Sequence, residues 1–165
     1  MDSVSLNYSD FFTKGFITGK FSEPLDEFYR FNFPDCNAEV IEEIQTEAKD
    51  LLDKLHVLVG ERMISSLFPK YELRDCAIWE GVDDYSKLWH NDYVGGSNMN
   101  TSILVYLDDT AAGSNIIEVK NENTQYTIIP NAGDFVWLNQ TKPIFQHKAT
   151  HNSGRRRVLS FEYFV

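Results

Sequence analysis

Phe145-Gln146-His147-Lys148-Ala149-Thr150-His151-Asn152-Ser153-Gly154-Arg155-Arg156-Arg157-Val158-Leu159-Ser160-Phe161-Glu162-Tyr163-Phe164 reads as strand, turn, strand. Asn152-Ser153-Gly154 supplies a turn that accepts positive φ. Side chains alternate along a strand, so Val158, Ser160 and Glu162 fall on one side and Arg157, Leu159, Phe161 and Tyr163 on the other. Arg157 therefore shares a face with apolar residues. A guanidinium there is costly unless it meets an anion, and its planar fork suits a carboxylate held by two hydrogen bonds. Arg155 and Arg156 read as part of an exposed basic turn.

Upstream lies Trp89-His90-Asn91-Asp92. On an extended backbone His90 and Asp92 point to one side and Asn91 to the other, so His90 and Asp92 can reach one ion while the identity of Asn91 matters little to coordination. An isolated H-x-D is common on surfaces. With His147 it makes two imidazoles and one carboxylate, the set that holds Fe(II) on one face and leaves positions open for a co-substrate and O2. His151 is a competing distal histidine, read as lying in the turn and facing solvent. His56, within Asp53-Lys54-Leu55-His56-Val57-Leu58, reads as a helix histidine.

From Tyr71 onward short strands dominate: 73–79, 88–92, 101–107, 115–119, 126–129, 134–138, 144–149 and 158–164. Such a series with turns between suggests a sandwich or barrel. Before it, Ile41, Ile44, Ala48, Leu51, Leu52, Leu55 and Val59 recur at three and four. This predicts an amphipathic helix over 38–59, capped by Asp35 or Asn37 and broken at Gly60. Residues 8–21 have strand-like composition, 23–28 look like a helix start, and 63–67 could add a helical turn before Pro69.

Together these residues resemble the Fe(II)- and 2-oxoglutarate-dependent dioxygenases, and within them the prolyl-hydroxylase-like branch, over roughly residues 74–165. In that family an H-x-D and a distal histidine bind iron, and a basic residue about ten positions later holds the far carboxylate of 2-oxoglutarate. The resemblance places these roles on His90, Asp92, His147 and Arg157. It prefers His147 to His151 because the turn and the arginine then fall into register. A tyrosine before a Leu-Asn or Leu-Asp pair assists at that carboxylate, which points to Tyr106 in Val105-Tyr106-Leu107-Asp108. Pro130-Asn131-Ala132-Gly133-Asp134 matches the family turn before the distal-histidine hairpin, whereas Ala111-Ala112-Gly113-Ser114 departs from the usual Gly-Gly.

The resemblance implies a mainly β fold with flanking helices, the double-stranded β-helix or jelly roll, in a single domain of 165 residues. Residues 1–70 would supply an N-terminal strand and bracing helices, and 71–165 the β core. It also implies an enzyme using Fe(II), 2-oxoglutarate and O2, with ascorbate as an auxiliary reductant, to hydroxylate a C–H bond; succinate and CO2 are the co-products. A prolyl residue in a peptide or protein is the first candidate substrate, with small molecules as the alternative. Trp79, Trp89, Tyr93 and Trp137 are candidates to line the substrate mouth, and 95–98 to form a substrate loop. Two other classes carry the same fold: a cupin-like metal enzyme that does not use 2-oxoglutarate, and a noncatalytic binding module.

The formal charge of −10, from 25 acidic against 15 basic residues, disfavours attraction to phosphate backbones and anionic membranes. No stretch approaches the roughly 20 apolar residues of a membrane span, and the first residues lack a secretory pattern. A cytoplasmic location is the expectation, with Cys36 and Cys76 as free thiols.

Overall fold

The structure is a computed structural model that describes residues 6–31, 38–81, 85–86, 88–92, 99–109, 115–151 and 156–165. In chain order it contains helix α1 (Ser9–Thr13), strand β1 (Phe16–Lys20), helix α2 (Ala38–Arg62), a 3-10 turn (Ile64–Ser66), and strands β2 (Glu72–Gly81), β3 (Tyr85–Ser86), β4 (Asn100–Tyr106) and β5 (Asn115–Lys120). Strands β6 (Gln125–Ile128), β7 (Asp134–Gln140), β8 (Gln146–His151) and β9 (Arg156–Phe164) complete it. Two antiparallel sheets face one another, ordered β1-β7-β4-β9-β2 and β3-β8-β5-β6. This is the expected double-stranded β-helix.

The large sheet is buried on both sides, which explains why its central strands read as apolar runs rather than clean alternation. Facing the small sheet, Tyr106, Val136, Leu138 and Val158 pack with Ile117 and Val119 in the barrel interior. The opposite face carries Ile103, Val105, Phe135, Trp137, Leu159, Phe161 and Tyr163, covered by Leu52, Leu55 and Val59 of α2 and by Phe11. Trp137, Leu159, Phe161 and Tyr163 are each 0 % exposed, and each contributes roughly 1.5–3 kcal/mol by leaving water. The outer face is thus the larger apolar core, and the barrel interior is the smaller one.

Several elements differ from the sequence expectation. The strand-like stretch 8–21 begins with α1, and only Phe16–Lys20 pairs, completing the large sheet alongside β7. Helix α2 runs through Gly60 to Arg62. The Tyr71 ring instead packs close against the helix at Gly60, where a Cβ would lie 2.6 Å from it. Residues 26–30 form turns. Leu88–Asp92 forms no strand; His90 makes a single bridge to His147, through backbone bonds of 2.8 and 3.1 Å. Cys76 is a free thiol. Cys36, Tyr93, the 95–98 loop and Ala111–Ser114 lie outside the described residues. No helix among the described residues is long and apolar enough to cross a membrane.

Candidate metal centre

His147 lies on β8 opposite Val119 of β5, a residue of the barrel interior, so its ring points inward. The bridge to His90 then brings the two imidazoles to a centroid separation of 4.3 Å. Asp92 closes the group: its Oδ1 lies 3.9 Å from His90 Nε2 and its Oδ2 3.6 Å from His147 Nε2. One donor atom from each of the three residues falls within 4.8 Å of the others. Ligand atoms about 2.0–2.2 Å from one ion stand roughly 3–4 Å apart, so this set fits a shared metal with little rearrangement.

The surroundings orient these ligands. His90 Nδ1 lies 2.8 Å from the Leu88 carbonyl, a hydrogen bond that places the proton on Nδ1 and leaves Nε2 free for metal. Asn100, fully buried, donates from Nδ2 to the Asp92 carbonyl at 3.0 Å. Asn91 points away as alternation requires, yet its amide donates to the carbonyls of Lys142, at 3.2 Å, and Phe145. It ties the ligand segment to the loop before β8, a role that coordination geometry alone does not reveal.

Tyr106 is 2 % exposed inside the barrel, in the same cluster as Val119. The structure does not bring Arg157 to it. Arg157 is buried on the outer face of the large sheet with Leu159 and Phe161, where its Nη2 donates to Asp108 Oδ1 at 2.7 Å and its Nε to Asp108 Oδ2 at 3.1 Å. Nη1 donates to the carbonyls of Phe31, at 3.0 Å, and Tyr29. The carboxylate that Arg157 requires belongs to the chain itself. Arg156, expected in an exposed turn, is the first residue of β9 and shares the inward parity of Val158; its guanidinium carbon stands 5.7 Å from the centre of the Tyr106 ring. The apolar side of the C-terminal run is the face under α2, so the neighbouring arginine is the one that reaches the interior.

The candidate mouth residues also separate. Trp137 is fully buried in the outer core, donating to Thr101 Oγ1 at 2.8 Å. Trp89 lies between Lys120 and Lys148, whose ammonium groups are 4.4 and 4.9 Å from its ring. Trp79 pairs with Val158 at the sheet edge and is 58 % exposed, open to an incoming molecule. His56 sits on α2, and His151 ends β8.

A polar chain that sequence reasoning missed continues outward from the buried Asn100. Asn100 Nδ2 donates to Gln140 Oε1 at 3.0 Å, Gln140 Nε2 to Ser102 Oγ at 2.8 Å, and Ser102 Oγ to Glu162 Oε1 at 3.4 Å. Arg74 Nη1 donates to Glu162 Oε2 at 2.8 Å. Burial raises the Glu162 carboxyl above its ordinary value; Arg74 opposes this, and the negative charges of Asp92 and Asp75 add to it.

No protein-family model matches the chain, and no curated protein does. Solved structures do. HygX from Streptomyces hygroscopicus, with iron bound, aligns with a TM-score of 0.66 at 16 % identity, over 95 % of this chain and 85 % of that one. A Pseudomonas putida prolyl-4-hydroxylase aligns with a TM-score of 0.57 at 14 % identity, over 94 % and 95 %. The fold is that of the 2OG-Fe(II) oxygenases. A Burkholderia pseudomallei oxidoreductase of the 2OG-Fe(II) oxygenase family shares it with a TM-score of 0.56 at 17 % identity, over 68 % of this chain; the chain spans 55 % of that protein's length. On this oxygenase fold the described residues place their two-histidine, one-carboxylate group where the two sheets meet.

Proposed function

We propose that this protein is a 2-oxoglutarate-dependent non-haem iron dioxygenase that hydroxylates a C–H bond. The observation that carries the reading is the convergence of His90, Asp92 and His147 from two distant segments of an oxygenase-like jelly roll. These three residues would hold Fe(II), which when bound supplies O2 activation coupled to conversion of 2-oxoglutarate into succinate and CO2. The remaining work belongs to the chain. Leu88 fixes the His90 tautomer, and Asn91 and Asn100 fix the segment between the ligands. Arg156 and Tyr106 bind the far carboxylate of 2-oxoglutarate, the role expected of Arg157 and Tyr106 from sequence. Arg157 holds the start of β9 in place.

The shared fold with a prolyl-4-hydroxylase supports a prolyl residue in a peptide or protein as one candidate substrate, with a small molecule as the alternative. A cytoplasmic location is part of the same reading. The test is anaerobic titration of the Fe(II)-loaded protein with 2-oxoglutarate, following the metal-to-ligand charge-transfer band, with succinate formation measured once O2 and ascorbate are admitted. The band is expected in the wild type and absent in His90→Ala. A folded, iron-loaded protein without the band overturns the reading in favour of a cupin-like metal enzyme.

A further inference from the structure

The barrel interior has two polar ends. On β9, Arg156 and Glu162 share the inward parity six positions apart, about 20 Å along an extended strand. Arg156 and Tyr106 form the cationic and phenolic end. Glu162, Ser102, Gln140, Asn100 and Arg74 form the other, joined to the metal site through the Asp92 carbonyl. If the first end takes 2-oxoglutarate, the second is left for the molecule to be oxidised.

The chemistry of that second end is specific. Asn100, Ser102 and Gln140 are at most 2 % exposed, yet Asn100 Oδ1 has no hydrogen-bond partner among the described residues. Its orientation is set, because turning the amide over would aim an oxygen at two acceptors, the Asp92 carbonyl and Gln140 Oε1. The Glu162 side chain remains 21 % exposed and its Arg74 partner 33 %, so neither is sealed in. An apolar pair of similar volume would close this end at least as well as an ion pair. Leaving Asp92 to the metal, Glu162 and Asp75 still outnumber Arg74, and a surface of one sign concentrates ligands of the other.

We propose that Glu162, with Asn100, Ser102 and Gln140 behind it, is the recognition subsite for the primary substrate, and that this substrate is a small molecule bearing an ammonium or guanidinium group near the oxidised C–H. The inference rests on the dioxygenase reading. Arg74 holds the carboxylate in place and competes with the substrate cation for it.

The test uses the full chain loaded with Fe(II) and saturated with 2-oxoglutarate, each variant judged by its own charge-transfer band. n-Butylguanidine and n-pentylamine are compared with the uncharged isosteres n-butylurea and 1-pentanol, which carry no ammonium or guanidinium group, by band perturbation and by stimulated succinate formation. At least one cationic probe is expected to act in the wild type at concentrations tenfold or more below its isostere. Glu162→Gln should weaken that response roughly tenfold to a hundredfold, the scale of one lost hydrogen bond to a charged group. Arg74→Gln should strengthen it, an opposite sign that loss of structure does not produce. Equal action of cations and isosteres overturns the proposal, as do no response at about ten times a KM of roughly 1 mM or a parallel loss in both variants. Absence of the band in wild type is a separate result that removes the dioxygenase reading itself.

Discussion

Replacing Arg157 with methionine and Arg156 with alanine should give opposite phenotypes from adjacent residues. Arg157 is 6 % exposed and its Asp108 partner 17 % by side chain, and the guanidinium also serves two backbone carbonyls in the 29–31 segment. Arg157→Met leaves the Asp108 charge without its counter-ion and those carbonyls without a donor. Removing one member of a buried pair costs about 3–5 kcal/mol, a large part of the roughly 5–15 kcal/mol that keeps a domain folded. At about 2–4 °C per kcal/mol for a chain of this size, the Tm should fall by on the order of 10 °C. Arg156→Ala shortens a half-buried side chain whose guanidinium stands over the Tyr106 ring, so its Tm should fall by less than that of Arg157→Met. Its 2-oxoglutarate affinity should fall by roughly ten- to a hundredfold, equivalent to about 1.5–3 kcal/mol for a hydrogen bond to a charged group. Differential scanning calorimetry and anaerobic band titration read the two effects independently. A stable Arg157→Met protein with weakened 2-oxoglutarate binding, together with an unimpaired Arg156→Ala, would refute the assignment of faces on β9.

Fe(II) should raise the Tm of the wild type, since a ligand at about 100 times its Kd adds roughly 2.7 kcal/mol. EDTA should reverse the rise, and Asp92→Ala should show none; calorimetry with and without metal checks this. Asn91→Ala should weaken metal binding by about 10–100-fold, the usual scale for groups that orient ligands, although Asn91 touches no ion. Competition against a metallochromic chelator measures it, and an unchanged affinity would show that the loop before β8 needs no such tie. Burial pushes the Cys76 thiol up from 9.0 to about 11. The unfolded chain therefore loses this proton first, so stability should decline as pH rises from about 9 to about 11, and Cys76→Ala should flatten that limb in urea melts. Iodoacetamide labelling of Cys76 in a Cys36→Ser background should stay slow until the pH exceeds about 10.

Local pattern specified a good part of this protein. The period-two runs marked most strands, the three-and-four spacing of Ala48, Leu52, Leu55 and Val59 marked α2, and His90, Asp92 and His147 stood out as one metal-binding set because their chemistry is distinctive whatever surrounds them. Alternation also sorted β9 correctly into two sides, Val158, Ser160 and Glu162 against Arg157, Leu159, Phe161 and Tyr163, whereas Arg156, read as part of an exposed turn, continues the first of these sides. What alternation does not say is which side faces which layer. The large sheet is covered on both faces, and its more apolar face lies under α2 while the interior keeps the polar groups of the site. Only the packing of α2 and the 29–31 segment against that sheet gave Arg157 to Asp108 and turned Arg156 toward Tyr106. The same holds for the chain from Asn100 to Arg74, whose members come from four strands and meet only when the sheet forms. A strand's period is encoded in neighbouring residues, whereas the partner that covers each face comes from distant ones.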